Sequence, residues 1–230
     1  MTKIRSLLRR LQAVDTAAIC DADKGLRLNA VKVMAPRIVM RTPLQVNNKT
    51  MVGVARTVQL IEPNDFLPVL QGLSEAKHGE VLCVDTKNST KAVAGGLFLT
   101  EAERKGLKGI IVDGPVRDIA TMKGSSIYCY SSSVTPYSGS ITQIGNMQVP
   151  ITCGDIKVNS GDIIIADGDG VIVSDADSLD ELVDVAEQIV KKEAEIFKIM
   201  KSGKSLDQCS NLHEHIQALK KGKESSLKFY

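Results

Sequence analysis

The sequence predicts a mixed α/β fold in which a central β-rich layer is flanked by helices. Residues 80–118 follow the order strand, helix, strand, which is typical of a parallel crossover unit. Residues 126–174 contain only short β-like runs separated by Gly, Asn and Asp. The 230 residues are 43% hydrophobic, enough for one sizeable core. We therefore expect a single domain over residues 1–230.

Two helices are predicted before the first long strand. Apolar residues at helical spacing indicate an amphipathic helix over residues 3–12. A second short helix runs to Gly25, and either Asp15 or Thr16 can cap it because both carry a side-chain acceptor for free backbone N–H groups.

A strand and a helix come next. Residues 52–60 alternate well enough to form a strand. The following apolar pattern predicts a helix capped by Asn64 or Asp65, with Pro68 in its first turn.

The crossover unit starts with the apolar strand "GEVLCVD" and continues with a helix. Gly95 and Gly96 open this helix and Gly106 closes it. A second buried strand over residues 110–112 then precedes the turn signals of residues 113–115, which we expect to end it.

Hairpins and helices complete the chain. The "ADGDG" stretch, residues 166–170, lacks the spacing and final Glu of a calcium-binding EF-hand loop, so a hairpin turn is favoured. A helix of more than twenty residues is predicted from Ser178, with Ser178 and Glu181 as the capping pair, and a last helix over residues 205–219. These C-terminal helices, about 178–220, would pack on the domain or on a neighbouring subunit.

Composition excludes several classes of function. The net charge is +2 and only 3% of residues are aromatic, so a nucleic-acid partner is not expected. The five cysteines form no CxxC pair, which argues against a zinc site and for reduced thiols in a cytoplasmic setting. No stretch reaches about 18 consecutive apolar residues, so we expect no membrane span.

Gly95 and Gly96 have two interpretations. Two glycines at a helix start let a ligand such as a carboxylate approach free backbone N–H groups and the positive end of the helix dipole. They can equally make a tight strand-to-helix turn and nothing more. Neither a GxxxxGK[ST] loop nor a full GxGxxG motif is present, so nucleotide binding has little support.

Arg117 and Asp118 stand just beyond the predicted strand, where open α/β sheets commonly bind ligands. As a site, the arginine would hold a carboxylate or enolate oxygen and the aspartate a hydrated cation such as Mg²⁺. The alternatives are a surface ion pair or Asp118 as the N-cap of a helix over the residues that follow. Local sequence leaves all three open.

Five stretches, taken together and in order, resemble a known family. They are "TAAICDADKG", "GVARTV", "GEVLCVD", "GGLFLTEAERKGLKGIIVDGPVRDI" and "VNSGDIIIADGDGVIV". The sequence is similar in these blocks to the RraA-like family, which includes class II 4-hydroxy-4-methyl-2-oxoglutarate/4-carboxy-4-hydroxy-2-oxoadipate aldolases and regulators of ribonuclease activity A. The resemblance covers roughly residues 11–205 and implies a swivelling β/β/α domain in a cytoplasmic homotrimer or hexamer.

The resemblance also implies a site. Pyruvate-moiety contacts would fall on the backbone at the helix start, at Gly95, Gly96, Leu97 and Phe98. Arg117 would be the catalytic and substrate-binding arginine, and Asp118 the ligand of a divalent metal, Mg²⁺ or Mn²⁺. An acidic residue from a neighbouring subunit's C-terminal helix would fall on Glu193.

The implied reaction is carbon–carbon cleavage of a small α-keto acid through a pyruvate enolate. The metal would act as a Lewis acid and Arg117 would stabilise the same negative charge. Aldolase members carry an acidic residue at the position of Gly96, so the glycine favours oxaloacetate decarboxylation over a fast retro-aldol reaction. The competing interpretation is a non-catalytic regulator of ribonuclease activity that acts by protein–protein binding.

Overall fold

A computed structural model describes residues 2–43 and 50–230. The helices are α1 (Thr2–Leu11), α2 (Thr16–Leu26), α3 (Leu67–Glu75), α4 (Gly96–Lys105), α5 (Ile119–Met122), α6 (Ala176–Lys201) and α7 (Leu212–Lys220). The strands are β1 (Lys32–Val33), β2 (Val39–Met40), β3 (Met51–Gln59), β4 (Glu80–Asp85), β5 (Gly109–Val116), β6 (Tyr128–Val134), β7 (Asn146–Met147), β8 (Ile151–Cys153), β9 (Ile156–Val158), β10 (Ile163–Ala166) and β11 (Val171–Ser174).

Nine strands of the described chain form one mixed sheet. Its order is β1-β11-β10-β3-β4-β5-β6-β2, and β7 pairs with β3 outside this path. β3, β4, β5 and β6 are parallel, and helices α3, α4 and α5 connect them in turn. The predicted crossover unit is therefore confirmed as part of a longer parallel centre, and its strand ends meet at one edge of the sheet.

Different elements pack against the two faces of the sheet. On β4, Leu82 and Val84 face a core under α3 and α4, whereas Val81 and Cys83 face a second core closed by the β8–β9 hairpin. Helices α1, α2 and α6 pack over a third core on β10 and β11. This two-sided burial explains why the central strands have nearly continuous apolar sequences.

The first two helices are as predicted, and tertiary bonds reinforce them. Asp15 is the N-cap of α2, because its carboxylate accepts from the Ala18 N–H. Asp167, in the predicted hairpin turn between β10 and β11, accepts from both the N–H and the hydroxyl of Thr16. The turn therefore also anchors the start of α2.

Strand β5 is longer than predicted. Residues 113–115 do not end it; the register to β6 shifts between Val112 and Pro115, and pairing then resumes to Val116. Proline has no N–H to donate, so it is tolerated in a sheet at such an irregularity. β5 therefore ends at Val116, four residues later than predicted and directly before Arg117.

Other predicted boundaries also need correction. The N-cap of α3 is Phe66, although Asp65 does accept from the Leu67 N–H. Helix α6 starts at Ala176 and is capped by Asp175, whose carboxylate bonds the Ser178 N–H and hydroxyl. An aspartate one turn earlier thus takes the role assigned to Ser178.

The C-terminal helices differ in how they pack. Leu179, Leu182 and Ala186 of α6 are buried beside α1 and α2, whereas near the end of the helix Ile196 is buried and Phe197 is exposed. The last predicted helix is shorter, since a 3₁₀ turn at Asp207–Cys209 precedes α7. Within the described residues, no helix is long and apolar enough to cross a membrane.

Candidate functional site

A short β-like contact brings the two halves of the predicted site together. Ala94 forms a parallel bridge with Val116, and the Arg117 N–H donates to the Ala94 carbonyl at 3.1 Å. The start of α4 at Gly95 and the end of β5 are therefore neighbours in space.

Asp118 bridges these halves through its side chain. It lies in the left-handed region at φ 63°, which Asp and Asn tolerate better than most residues. Its Oδ2 accepts from the Gly96 N–H at 3.1 Å, so the carboxylate meets the positive end of the α4 dipole. Asp118 occupies the N-cap position of α5, but its side chain makes no capping bond there and bonds the first N–H of α4 instead.

Arg117 makes a loose ion pair with its neighbour. Its Nε lies 3.7 Å from Asp118 Oδ2, and the two side chains are 41% and 45% exposed. Such an exposed pair contributes little to stability. The guanidinium therefore keeps most of its donors for a ligand.

The two glycines are required by close packing. Gly95 has extended backbone that any residue adopts, but a Cβ there would lie 2.6 Å from Asp118 Oδ2 and 3.1 Å from Arg117 Cγ. A Cβ on Gly96 would lie 2.9 Å from Thr121 Cγ2. The glycines thus allow the Arg117–Asp118 turn to lie directly on the helix start, which is more than a tight connection requires.

Gly95, Arg117 and Asp118 line one cleft. Phe66 and Phe98 pack edge to face, with ring centroids 6.0 Å apart, and form an apolar wall. Leu97 lies at the rim and is 83% exposed. The cleft residues are Phe66, Ala92, Val93, Ala94, Gly95, Leu97, Phe98, Arg117, Asp118 and Ser138.

The start of α4 offers free hydrogen-bond donors. The first N–H groups of a helix have no partner within the helix. The Gly96 N–H bonds Asp118 and the Leu99 N–H bonds the Gly95 carbonyl. Among the described residues, no acceptor bonds the N–H of Leu97 or Phe98, so both are available to an anion.

The donor set fits a cation that keeps most of its water. In the described parts of the chain, no group of three or more His, Cys, Asp or Glu side chains could hold a metal ion. Asp118 Oδ1 accepts no hydrogen bond from any described residue and its carboxylate is half exposed, leaving one oxygen for a metal. Mg²⁺ is commonly bound in this way, through one or two carboxylates, water and substrate.

Asn64 and Asp65 bond two segments that adjoin cleft-lining residues, residues 90–91 beside Ala92 and residues 140–143 near Ser138. Asn64 Oδ1 accepts from the N–H groups of Thr90 and Lys91, at 2.7 and 2.9 Å. Asp65 Oδ2 accepts from the Ser140 hydroxyl, the Thr142 N–H and hydroxyl, and the Gln143 N–H. Burial alone would raise the pKa of Asp65, but these bonds and that from Leu67 hold the pKa below its usual value.

The structure places the sequence-predicted residues unequally. The cleft contains Gly95, Leu97, Phe98, Arg117 and Asp118, with Gly96 bonded at its edge. Glu193 is exposed on α6 and does not line the cleft of its own chain, so its role from a neighbouring subunit stays a prediction.

The sequence reasoning missed five lining residues, which are Phe66, Ser138 and residues 92–94. Phe66 follows the Asn64–Asp65 pair, whose side chains we expected to cap α3 rather than to brace the cleft. Ser138 lies in an irregular segment, and only its parallel bridge to Ala92 brings it to the site.

Comparison with known proteins defines the family. The profile of the RraA-like family, described as Aldolase/RraA, matches residues 16–173, well over half of the chain. The chain belongs to the RraA-like family. Its fold agrees with this, because an uncharacterised protein of Pseudomonas syringae pv. tomato superposes with a TM-score of 0.75 at 27% identity, over 89% of this chain and 96% of that one.

Two of the similar proteins bear different kinds of name. A protein of Halalkalibacterium halodurans, provisionally named 4-hydroxy-4-methyl-2-oxoglutarate aldolase, is 34% identical over 53% of this chain and 55% of its own length. The match thus spans only about half of that relative. RraAS2 of Streptomyces coelicolor, described as an unusual member of the RNase ES inhibitor RraA family, has a TM-score of 0.66 at 26% identity, over 85% of this chain and 96% of that one.

Proposed function

We propose that this protein is a divalent-metal-dependent carbon–carbon lyase that acts on small α-keto acids through a pyruvate enolate. The observation that carries the proposal is the convergence of Arg117, Asp118 and two unpaired helix N–H groups in one cleft. Relatives named as aldolases in the RraA-like family support the same reaction class.

The chain's own groups have separate tasks in this proposal. The N–H groups of Leu97 and Phe98 bind the carboxylate of the α-keto acid at the positive end of α4. Arg117 donates to the keto oxygen and stabilises the negative charge that develops there when the carbon–carbon bond breaks. Asp118 would hold Mg²⁺ or Mn²⁺, and such an ion supplies Lewis acidity to the keto acid when bound.

Decarboxylation of oxaloacetate suits this cleft better than retro-aldol cleavage. Decarboxylation breaks the bond between C3 and C4 of oxaloacetate, and carbon dioxide leaves. The electron pair of that bond stays on the remaining fragment as the pyruvate enolate, which is then protonated to pyruvate. Retro-aldol cleavage also needs a base to remove the substrate hydroxyl proton. Gly96 has no side chain to orient a water molecule for that task, and Thr121 fills the adjoining space.

A regulator of ribonuclease activity is the second candidate, because RraAS2 of Streptomyces coelicolor shares the fold. Such a protein would act by binding a partner protein and would need neither a metal nor a substrate cleft. The exposed Leu97 at the rim of the cleft is compatible with a protein contact.

The deciding experiment measures pyruvate release by the full chain. Oxaloacetate and 4-hydroxy-4-methyl-2-oxoglutarate are each supplied with Mg²⁺, with Mn²⁺ or with EDTA. We expect metal-dependent pyruvate from oxaloacetate at a higher rate than from the hydroxy acid. No metal-dependent pyruvate above the uncatalysed rate from either compound would reject the lyase and favour the regulator.

Asp118→Asn is the matched variant for the metal. Asparagine tolerates the left-handed backbone and can still accept from the Gly96 N–H, so the variant removes mainly the charge. We expect metal-dependent turnover to fall at least about a hundredfold. Asp155→Asn, at another left-handed position on the surface, is the control and should leave turnover unchanged.

A further inference from the structure

The charged and the apolar parts of the cleft lining are separate. Arg117 and Asp118 are the charged side chains among the described residues that line it, and they adjoin each other. Ser138 is the other polar side chain of the lining. The rest of the lining is apolar or glycine and consists of Phe66, residues 92–94, Gly95, Leu97 and Phe98. A ligand held at Arg117 therefore meets mainly apolar surface along the rest of the cleft.

Phe66 and Phe98 form the apolar wall on this surface. Their rings meet edge to face, with 6.0 Å between centroids and 82° between planes. Both residues pack against the core under α3 and α4. The backbone of Phe66 is also held, because its N–H donates to the Ser140 carbonyl at 2.9 Å. The apolar wall is thus in place before a ligand arrives.

Phe98 joins the apolar wall to the anion-binding end of the cleft. Its N–H is one of the two unbonded donors at the start of α4 among the described residues, and its ring is half of the apolar wall. Because one residue provides both features, an anion bound at this helix start has the apolar wall beside it.

Decarboxylation removes negative charge from C4 of the substrate. The C4 carboxylate of oxaloacetate is an anion, whereas the carbon dioxide that it becomes is neutral, and the charge passes to the enolate oxygen at Arg117. A carboxylate without a cation or a hydrogen-bond donor is costly against apolar surface, and that cost disappears as carbon dioxide forms. Apolar surface beside C4 therefore destabilises the bound substrate more than the transition state, which raises kcat.

We propose that Phe66 and Phe98 are specificity-determining residues, and that their apolar wall receives the C4 carboxylate of oxaloacetate and favours its loss as carbon dioxide. This rests on the proposed function, which places the keto-acid end at Arg117 and the start of α4. The electron pair of the C3–C4 bond passes into the enolate, and water supplies the proton that gives pyruvate. A cation at the apolar wall would oppose the reaction, because it would stabilise the carboxylate that has to leave.

The test compares Phe66→Lys with Phe66→Leu in the full chain with Mg²⁺. The lysine brings an ammonium to the apolar wall, where it would bind the C4 carboxylate of the substrate. We therefore expect a lower KM for oxaloacetate together with a kcat that is lower by about tenfold. Leucine keeps the wall apolar and should retain most of kcat.

Two further measurements separate this effect from damage to the site. Oxalate resembles the pyruvate enolate and has no counterpart of the C4 carboxylate, so Phe66→Lys should not raise the Kd for oxalate in titration calorimetry with Mg²⁺ in excess. Leu28→Lys adds the same charge at a position that is 39% exposed and outside the cleft lining, and should leave kcat and KM unchanged.

The outcomes separate the two proposals. An unchanged kcat or a higher KM in Phe66→Lys would overturn the role of the apolar wall and leave the lyase standing. So would an equal loss of kcat in Phe66→Leu, or weaker oxalate binding by Phe66→Lys, since either would show that the ring only supports the shape of the site. A wild-type protein that releases no metal-dependent pyruvate from oxaloacetate would overturn the lyase and the role of the wall together.

Discussion

The stretch 109–118 contributes to two arginine–aspartate pairs, Arg37–Asp113 and Arg117–Asp118, and the pairs differ in how completely they are bonded. Asp113 accepts from Arg37 at 2.9 and 3.2 Å and from the Gly154 N–H at 2.9 Å, and its side chain is only 15% exposed. Arg37 also bonds Asp155, so little of its donor capacity remains. Arg117 and Asp118, four and five residues later, make one loose contact with each other, and Asp118 accepts one further hydrogen bond, from the Gly96 N–H.

The difference teaches how to distinguish a structural ion pair from a binding site. The Asp113 pair ties the turn of the β8–β9 hairpin to the end of the parallel strands, and its polar atoms are satisfied within the protein. The Arg117 pair leaves donors and a carboxylate oxygen unused beside free helix N–H groups. Unused hydrogen-bonding capacity in a cleft, rather than the residue types, points to the ligand.

The largest expected effect comes from Arg117→Lys. Lysine keeps the charge but loses the planar fork, so we expect kcat for oxaloacetate to fall about 10²–10³-fold. Because the pair with Asp118 is loose, the melting temperature should change little. Arg37→Lys is the matched control, with a lower melting temperature and unchanged kcat. Steady-state kinetics and thermal unfolding of both variants check this. A lower kcat in Arg37→Lys together with a lower melting temperature but unchanged kcat in Arg117→Lys would contradict the roles assigned to the two pairs.

A smaller effect, on stability alone, is expected from Asp113→Ala. The variant leaves the Gly154 N–H and part of the Arg37 fork without an acceptor, which should lower the free energy of unfolding by about 1–3 kcal/mol. Chemical denaturation measures the loss. Asp155→Asn, at the exposed side of the same arginine, should cost clearly less. An equal cost for both variants would contradict the distinction between buried and exposed partners.

The smallest effect concerns the pH dependence of stability through Asp65. Because the pKa of this carboxyl is lower in the folded than in the unfolded protein, its contribution is present above the unfolded value, about 4, and is lost as pH falls through the folded value. Asp65→Asn should lower stability at neutral pH and flatten the loss below about pH 4, since an amide offers one acceptor oxygen and its NH₂ opposes the bound donors. Denaturation curves between about pH 3 and 7 test this, and parallel curves for the two proteins would contradict it.

Local signals predicted most of the fold around the site. The crossover unit, the Gly106 end of α4 and the hairpin at residues 166–170 all follow from patterns of a few residues, and the structure confirms them. Of the two residues predicted as possible caps of α2, Asp15 and Thr16, the structure selects Asp15. The errors lie where distant contacts compete with local preference. Strand β5 continues past Pro115 because β6 and the segment at Ala94 pair with it, and no local pattern encodes those partners.

The amino-acid sequence was sufficient to locate the two short motifs of the candidate site, the glycine-opened helix and the Arg117–Asp118 pair, because each adjoins a recognisable element. Local sequence alone left a structural interpretation of each motif open. It could not show that the Asp118 carboxylate bonds the start of α4 rather than that of α5, since this depends on the bulge in β5 and on the space left by Gly95. Nor could it bring Phe66 and Ser138 to the same cleft. Those placements depend on hydrogen bonds that join Asn64 and Asp65 with segments 25 to 78 residues away along the chain. Long-range contacts of this kind form only when the sheet assembles.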